Sequence, residues 1–300
     1  MKLPTKIQIN EVGPRDGLQN ERVILTTDQK LSMIQQLTDA GATYVEVASF
    51  VHPKWMPPLA DGMDVLKRLE RQPGVTYAAL VPNMKGLERA IEADVDEVSV
   101  FFSASEAHNQ ANLNRSIQET LPIVKEVVEE ATRAGKTVRG YLSTVIACPY
   151  AGYIEPAITK KYTEFLLECG VREVSLGETI GVATPNQVEA LLDELIPTIR
   201  PNQLAMHFHD TYGMAIANIV ASFPYGITTF DSSVGGVGGC PYAKGAAGNV
   251  STEDLLYLCE QMNIHTGMNR EKIVDVSEWL AMQLQRTLPS KQLQIRKGAN

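Results

Sequence analysis

Three hundred residues, 44% hydrophobic and 21% charged, are enough to bury a sizeable core and exclude a disordered chain. A formal charge of −8 leaves no basic footprint for a nucleic acid or an anionic membrane surface, so neither is expected as a partner. No apolar run approaches the roughly 20 residues of a membrane helix. The opening MKLPTKIQINEV enters a strand pattern at once, which leaves no room for a targeting peptide and makes the cytoplasm the expected compartment. Strand-like runs follow at Ile7–Val12, Tyr44–Phe50, Thr76–Val81, Glu97–Ser103, Thr137–Val145, Glu173–Thr179, Leu204–Asp210 and Thr228–Val234. Amphipathic stretches lie between them, at Thr27–Ala40, Lys85–Ala93, Ser116–Ala134, Ile158–Cys169, Pro185–Ile199 and Met214–Phe223.

Eight strands alternating with helices predict an α/β chain closed as a (β/α)8 TIM barrel, with an open doubly wound sheet as the alternative. No linker or composition break divides residues 1–300, which read as one domain. The barrel is expected over about 5–251. A helical tail, about 252–300, carries Thr252–Met262 and Asn269–Leu284 and packs outside the barrel or against a partner, which makes a homodimer the expected assembly.

A barrel places its chemistry at the C-terminal ends of its strands. The unusual polar residues fall there. The first strand runs into Gly13-Pro14-Arg15-Asp16-Gly17, the second carries Glu46 and ends at Ser49, and the fifth carries Tyr141 and Ser143. The sixth holds Ser175 and Glu178. Acids within apolar strands, such as Glu46 and Glu178, are costly to bury unless paired or protonated. In Leu204–Asp210 (LAMHFHD), the spacing of His207 and His209 sends both imidazoles to one face. Such a pair at a strand mouth suits a metal ion better than a hydrogen-bonded core. Asp16 then reads as an oxygen ligand, and Arg15 as a permanent cation aimed at a developing oxyanion.

The four cysteines, Cys148, Cys169, Cys240 and Cys259, form no C-x-x-C, so neither a disulfide framework nor a structural zinc site is expected. Gly235–Tyr242 (GGVGGCPY) has neither dinucleotide nor P-loop spacing. Its glycines suggest a mobile lid with Cys240 as a proton-carrying thiol at its tip. Asn249 is placed to return to the same mouth as a carbonyl ligand. His108 and His265 read as isolated, exposed residues.

Together EVGPRDGLQNE (11–21), SFVHPKW (49–55), HFHDTYG (207–213) and GGCPY (238–242) resemble the 3-hydroxy-3-methylglutaryl-CoA lyase family from about Ile7 to Leu293. The resemblance implies a (β/α)8 barrel and a divalent cation, Mg²⁺ or Mn²⁺, on Asp16, His207, His209 and Asn249. It implies an acyl-CoA thioester as substrate, with Arg15 at the thioester carbonyl, Cys240 as the catalytic cysteine and Glu46 as an acid beside the metal. Arg22, Ser49, Tyr141 and Ser175 join Arg15 as substrate-binding candidates. Two positions depart from the family pattern: Glu178 stands where Asp is usual, and Arg22 where Lys is frequent. The chemistry suits these residue types. A hard cation chelated by a tertiary 3-hydroxyl makes it acidic, and Glu178 or His207 takes the proton as the bond between carbons 2 and 3 breaks.

Overall fold

The computed structural model describes residues 3–239 and 248–298. Eight parallel strands close on themselves: β1 (Gln8–Glu11), β2 (Tyr44–Ser49), β3 (Thr76–Leu80), β4 (Glu97–Ser103), β5 (Thr137–Ser143), β8 (Glu173–Glu178), β9 (Leu204–Phe208) and β10 (Thr229–Ser232). A two-stranded hairpin, β6 (Ala147–Cys148) and β7 (Gly152–Tyr153), interrupts the alternation after β5. Most barrel strands are buried on both faces, which is why they read as continuous apolar runs rather than alternating ones. The (β/α)8 expectation holds, and each strand ends within a few residues of the run that announced it.

The helices begin where side chains satisfy their first N–H groups. Thr26 and Gln29 box the start of α1 (Thr27–Asp39). α2 (Gly62–Arg68), α3 (Met84–Glu92) and α4 (Glu106–Leu113) come next, and Ser116 with Glu119 boxes α5 (Ile117–Arg133). α6 (Pro156–Cys169) stops at Gly170, whose φ of 104° costs glycine little. α2, α4 and the hairpin were not foreseen. α4 is short and weakly amphipathic, and it carries His108 buried near the Tyr150 ring, 6.4 Å between centroids, where exposure was expected.

α7 (Pro185–Leu195) and α8 (Ala215–Ser222) continue the outer ring. α9 (Thr252–Gln261) and α10 (Arg270–Leu284) complete it, packing in turn against α8 and α1, and α11 (Lys291–Gly298) covers α9 and α10. The link between α9 and α10 is pinned to the foot of β1: Ile7 N–H donates to the His265 carbonyl and His265 N–H to that of Thr5, each at 2.9 Å. None of the described helices is long and apolar enough to cross a membrane.

Candidate metal centre

Beyond β1 the chain makes one wide helical turn, Gly13–Gly17, whose N–H groups from Asp16 and Gly17 return to the Val12 carbonyl. Glu11 fixes this turn to the far side of the barrel seam. Its Oε1 accepts from Gly13 N–H (2.8 Å) and Val234 N–H (3.0 Å), and its Oε2 from Thr252 Oγ1 (2.7 Å). Burial pushes the Glu11 carboxyl up to about 7 despite these three donors.

The turn delivers Arg15 and Asp16 to the barrel axis. The Arg15 guanidinium donates from Nε to Glu46 Oε2 (2.6 Å) and from Nη1 to Asp16 Oδ1 (2.7 Å), and its carbon lies 5.4 Å from the Tyr141 ring centroid. Tyr141 donates to the same Glu46 oxygen at 3.2 Å. Burial raises the Glu46 carboxyl even against Arg15, while Arg15 and the two histidines outweigh burial at Asp16 and hold it below the usual carboxylate range. Glu46 reaches this position beside a register shift between Glu46 and Ala48, a bulge of the kind that re-aims side chains near active sites.

His207 ends the inward row of β9, and His209 follows just past the strand, bridged to Asn249. Their Nε2 atoms face each other at 3.3 Å, and one ligand atom from each lies within 4.8 Å of an Asp16 carboxylate oxygen. Among the described residues no other cluster of three His, Cys, Asp or Glu has this geometry. Burial pulls His207 down, but its hydrogen bond to Asp231 and the charges of Asp231 and Asp16 win, and its pKa is raised. His209, buried beside His207, falls to about 4.

Asn249 tests whether a cation fits. Its Nδ2 donates to Asp16 Oδ2 (2.8 Å) and to the Val237 carbonyl (3.2 Å), which leaves Oδ1 buried without a hydrogen-bond partner among the described residues. A carboxylate, two imidazole nitrogens and an orphaned amide oxygen form the mixed oxygen–nitrogen set suited to a divalent first-row metal or Mg²⁺. Gly238 makes this contact possible. Its φ is +109°, and a Cβ there would lie 2.5 Å from Asn249 Nδ2. Gly238→Ala is expected to push Asn249 out of line, weakening Mn²⁺ binding about tenfold and destabilising the fold by about 1–3 kcal/mol. A Mn²⁺ titration and a urea curve check both.

The remaining expected site residues divide. Ser49 is buried at the end of β2 and accepts from Val51 N–H at 3.3 Å. Ser175 Oγ is already committed to Asp231 (2.7 Å), so it supports the site from below instead of facing an incoming molecule. Arg22 is exposed on the segment leading to α1.

Glu178 is not brought into the cluster. On β8, Glu173, Ser175 and Gly177 pair with the inward Arg139, Tyr141 and Ser143, so Glu178 faces outward beside Phe208. There it accepts from Val182 N–H (3.2 Å) and from neighbouring backbone N–H groups at 180–183, while burial pushes it up to about 7.

Gly235–Gly238 are buried, packed residues, not part of a mobile lid: at Gly235 (φ +70°) a Cβ would lie 2.4 Å from Leu288. Cys240 lies outside the described residues. Three participants escaped the sequence reading. Gln19 donates to Asp16 Oδ1 at 2.9 Å, and Arg139 and Asp231 form a buried ion pair under the histidines. Arg139 and Asp231 carry the signal that exposed Glu46, a charge inside an apolar strand.

The HMGL-like family model matches residues 6–280. Hydroxymethylglutaryl-CoA lyase YngG of Bacillus subtilis is 50% identical over 299 residues, covering 100% of both chains. A 3-hydroxy-3-isohexenylglutaryl-CoA/hydroxy-methylglutaryl-CoA lyase of Pseudomonas aeruginosa is 48% identical over 278 residues, 93% of each. The crystal structure of the B. subtilis HMG-CoA lyase superposes with a TM-score of 0.97 at 50% identity, over 99% of this chain and 100% of that one.

Proposed function

The chain belongs to the HMGL-like family, and from that membership and the Asp16–His207–His209 convergence we infer a carbon–carbon lyase that cleaves 3-hydroxy-3-methylglutaryl-CoA to acetyl-CoA and acetoacetate. The convergence of one ligand atom each from Asp16, His207 and His209 within 4.8 Å of one another, with the orphaned amide oxygen of Asn249 on the residue that bonds Asp16, is the observation that carries the metal reading. Asp16, His207, His209 and Asn249 would hold Mg²⁺ or Mn²⁺. Such an ion, when bound, lowers the pKa of the tertiary hydroxyl.

The residues then divide the work. His207 has one nitrogen on Asp231 and the other on the ligand cluster, and Glu178 is engaged by backbone N–H groups. Glu178 also keeps an unpartnered oxygen, Oε2, but faces outward from the barrel, so Glu46, whose Oε1 is unpartnered and whose Oε2 is bonded to Arg15, takes the hydroxyl proton. The bond between carbons 2 and 3 breaks, the hydroxyl carbon becomes the ketone of acetoacetate, and the bonding pair passes into the thioester enolate. Arg15 offers guanidinium N–H groups to the enolate oxygen. Cys240, assigned through the family resemblance, returns a proton to carbon 2, which completes acetyl-CoA.

Purified protein is expected to form acetoacetate from 3-hydroxy-3-methylglutaryl-CoA, to lose turnover with EDTA and to regain it with Mn²⁺ or Mg²⁺. No product under any metal or reducing condition overturns the reading. The Pseudomonas relative's name makes the isohexenyl homologue the second substrate to assay, by competition. We place residues 1–300 in one catalytic domain, in the cytoplasm, and assign a homodimer on the helical tail. Light scattering after size exclusion tests the assembly.

A further inference from the structure

Below the histidines, Asp231 occupies a point where four strands converge. The register sets Asp231 of β10 directly opposite His207 of β9 on one side and Asn10 of β1 on the other. Its Oδ1 accepts from Arg139 Nη2 (2.8 Å) and Asn10 Nδ2 (3.4 Å). Its Oδ2 accepts from Ser175 Oγ (2.7 Å) and Arg139 Nη1 (3.2 Å) and faces His207 Nδ1 at 3.2 Å. Four donors from three strands therefore fix the carboxylate before His207 is considered. Arg139 is itself fully buried and anchored to Glu173 at 2.9 Å, so the support cannot swing away.

We propose that Asp231 is the positioning residue of the metal centre: it holds the His207 ring with Nδ1–H directed at the barrel floor, so that the Nε2 lone pair is presented to the ion. This rests on the cation reading above. A carboxylate beside one imidazole nitrogen selects the tautomer protonated there and makes the other nitrogen the donor. His209 has no such carboxylate: its buried Nδ1 has no hydrogen-bond partner among the described residues. The two histidines are thus unequal, with His207 the stronger and more rigid ligand.

Asp231→Asn keeps the shape but sets an amide NH₂ against donors that need acceptors. Metal-free Asp231→Asn and parent protein are compared by Mn²⁺ titration, with free Mn²⁺ read by EPR, and by ¹⁵N shifts of labelled histidine. Asp231→Asn is expected to bind Mn²⁺ about 10–100-fold more weakly, and its His207 signals to move from the Nδ1–H pattern toward mixed tautomers. Glu173→Gln keeps a carbonyl acceptor for Arg139 Nε and leaves all four donors on Asp231, so it is expected to lower the melting temperature and leave Mn²⁺ affinity within about twofold.

If the parent binds no Mn²⁺, the cation reading itself falls. If the parent binds and Asp231→Asn matches it, or Glu173→Gln loses as much affinity, the positioning role is overturned. Should Asp231→Asn fail to fold, Ser175→Ala decides. It removes one of the four locks and is expected to weaken Mn²⁺ binding a few-fold; affinity equal to the parent's refutes the proposal.

Discussion

Arg15→Gln is expected to lower kcat for 3-hydroxy-3-methylglutaryl-CoA cleavage about 10²–10³-fold, the loss typical of removing one preorganised oxyanion donor. The effect should fall on kcat more than on KM, because negative charge builds on the thioester oxygen only as the carbon–carbon bond breaks. Arg15 suits the task because its orientation is overdetermined. One edge is bound to Glu46 and the other to Asp16, the Tyr141 ring lies alongside, and the residue is only 5% exposed.

Folding should survive the change. Glu46 is already pushed toward its neutral form by burial, so without Arg15 it takes up a proton instead of remaining an unpaired buried charge, which also disables it as the base and makes the oxyanion figure a lower bound on the loss. Arg15→Lys keeps the charge but cannot fork between two carboxylates, so its turnover should lie between the other two. Initial-rate kinetics on the three metal-loaded proteins check this order. Arg15→Gln turning over within tenfold of the parent would remove Arg15 from the reaction.

How much of this was legible depended on whether the signal was local. His207 and His209 share one strand, so spacing alone put them on one face, and Arg15–Asp16 announced themselves at a strand mouth. The same period-2 argument applied to β8 separates Ser175 from Glu178: three positions apart, they face opposite ways, and only Ser175 looks inward. Glu178 looked catalytic because the acid was considered without its parity. Arg139 and Asp231 were harder to see, because each is a lone charge in its own strand and their pairing exists only once the barrel closes. The glycines at 235–238 give the opposite lesson. Clustered glycine suggested mobility, but there it serves positive φ and close packing against Leu288 and Asn249.

The support below the site carries the largest stability effect. Arg139 is fully buried, donates to Glu173 and twice to Asp231, and lies 4.8 Å from the Tyr141 ring centroid and 5.7 Å from that of Tyr44. Arg139→Met fills similar space but strands two buried carboxylates, a change that typically costs about 3–5 kcal/mol. For a chain of this size that corresponds to a melting temperature lower by about 5–8 °C.

Acidification should narrow the gap, and the sign follows from Asp231. In the parent, Arg139 and then His207 outweigh burial and hold Asp231 well below the usual carboxylate range. Its stabilisation is therefore present above the unfolded pKa of about 3.9 and is lost only as pH falls through the lower folded value. Without Arg139 that depression weakens and burial drives the carboxyl upward. The variant's penalty then grows as pH rises through the new value and shrinks below it. Urea curves at pH 7.5 and pH 5 should show the larger difference at pH 7.5. Equal midpoints for parent and variant at pH 7.5 would mean that the charges within the barrel are held by something other than this arginine.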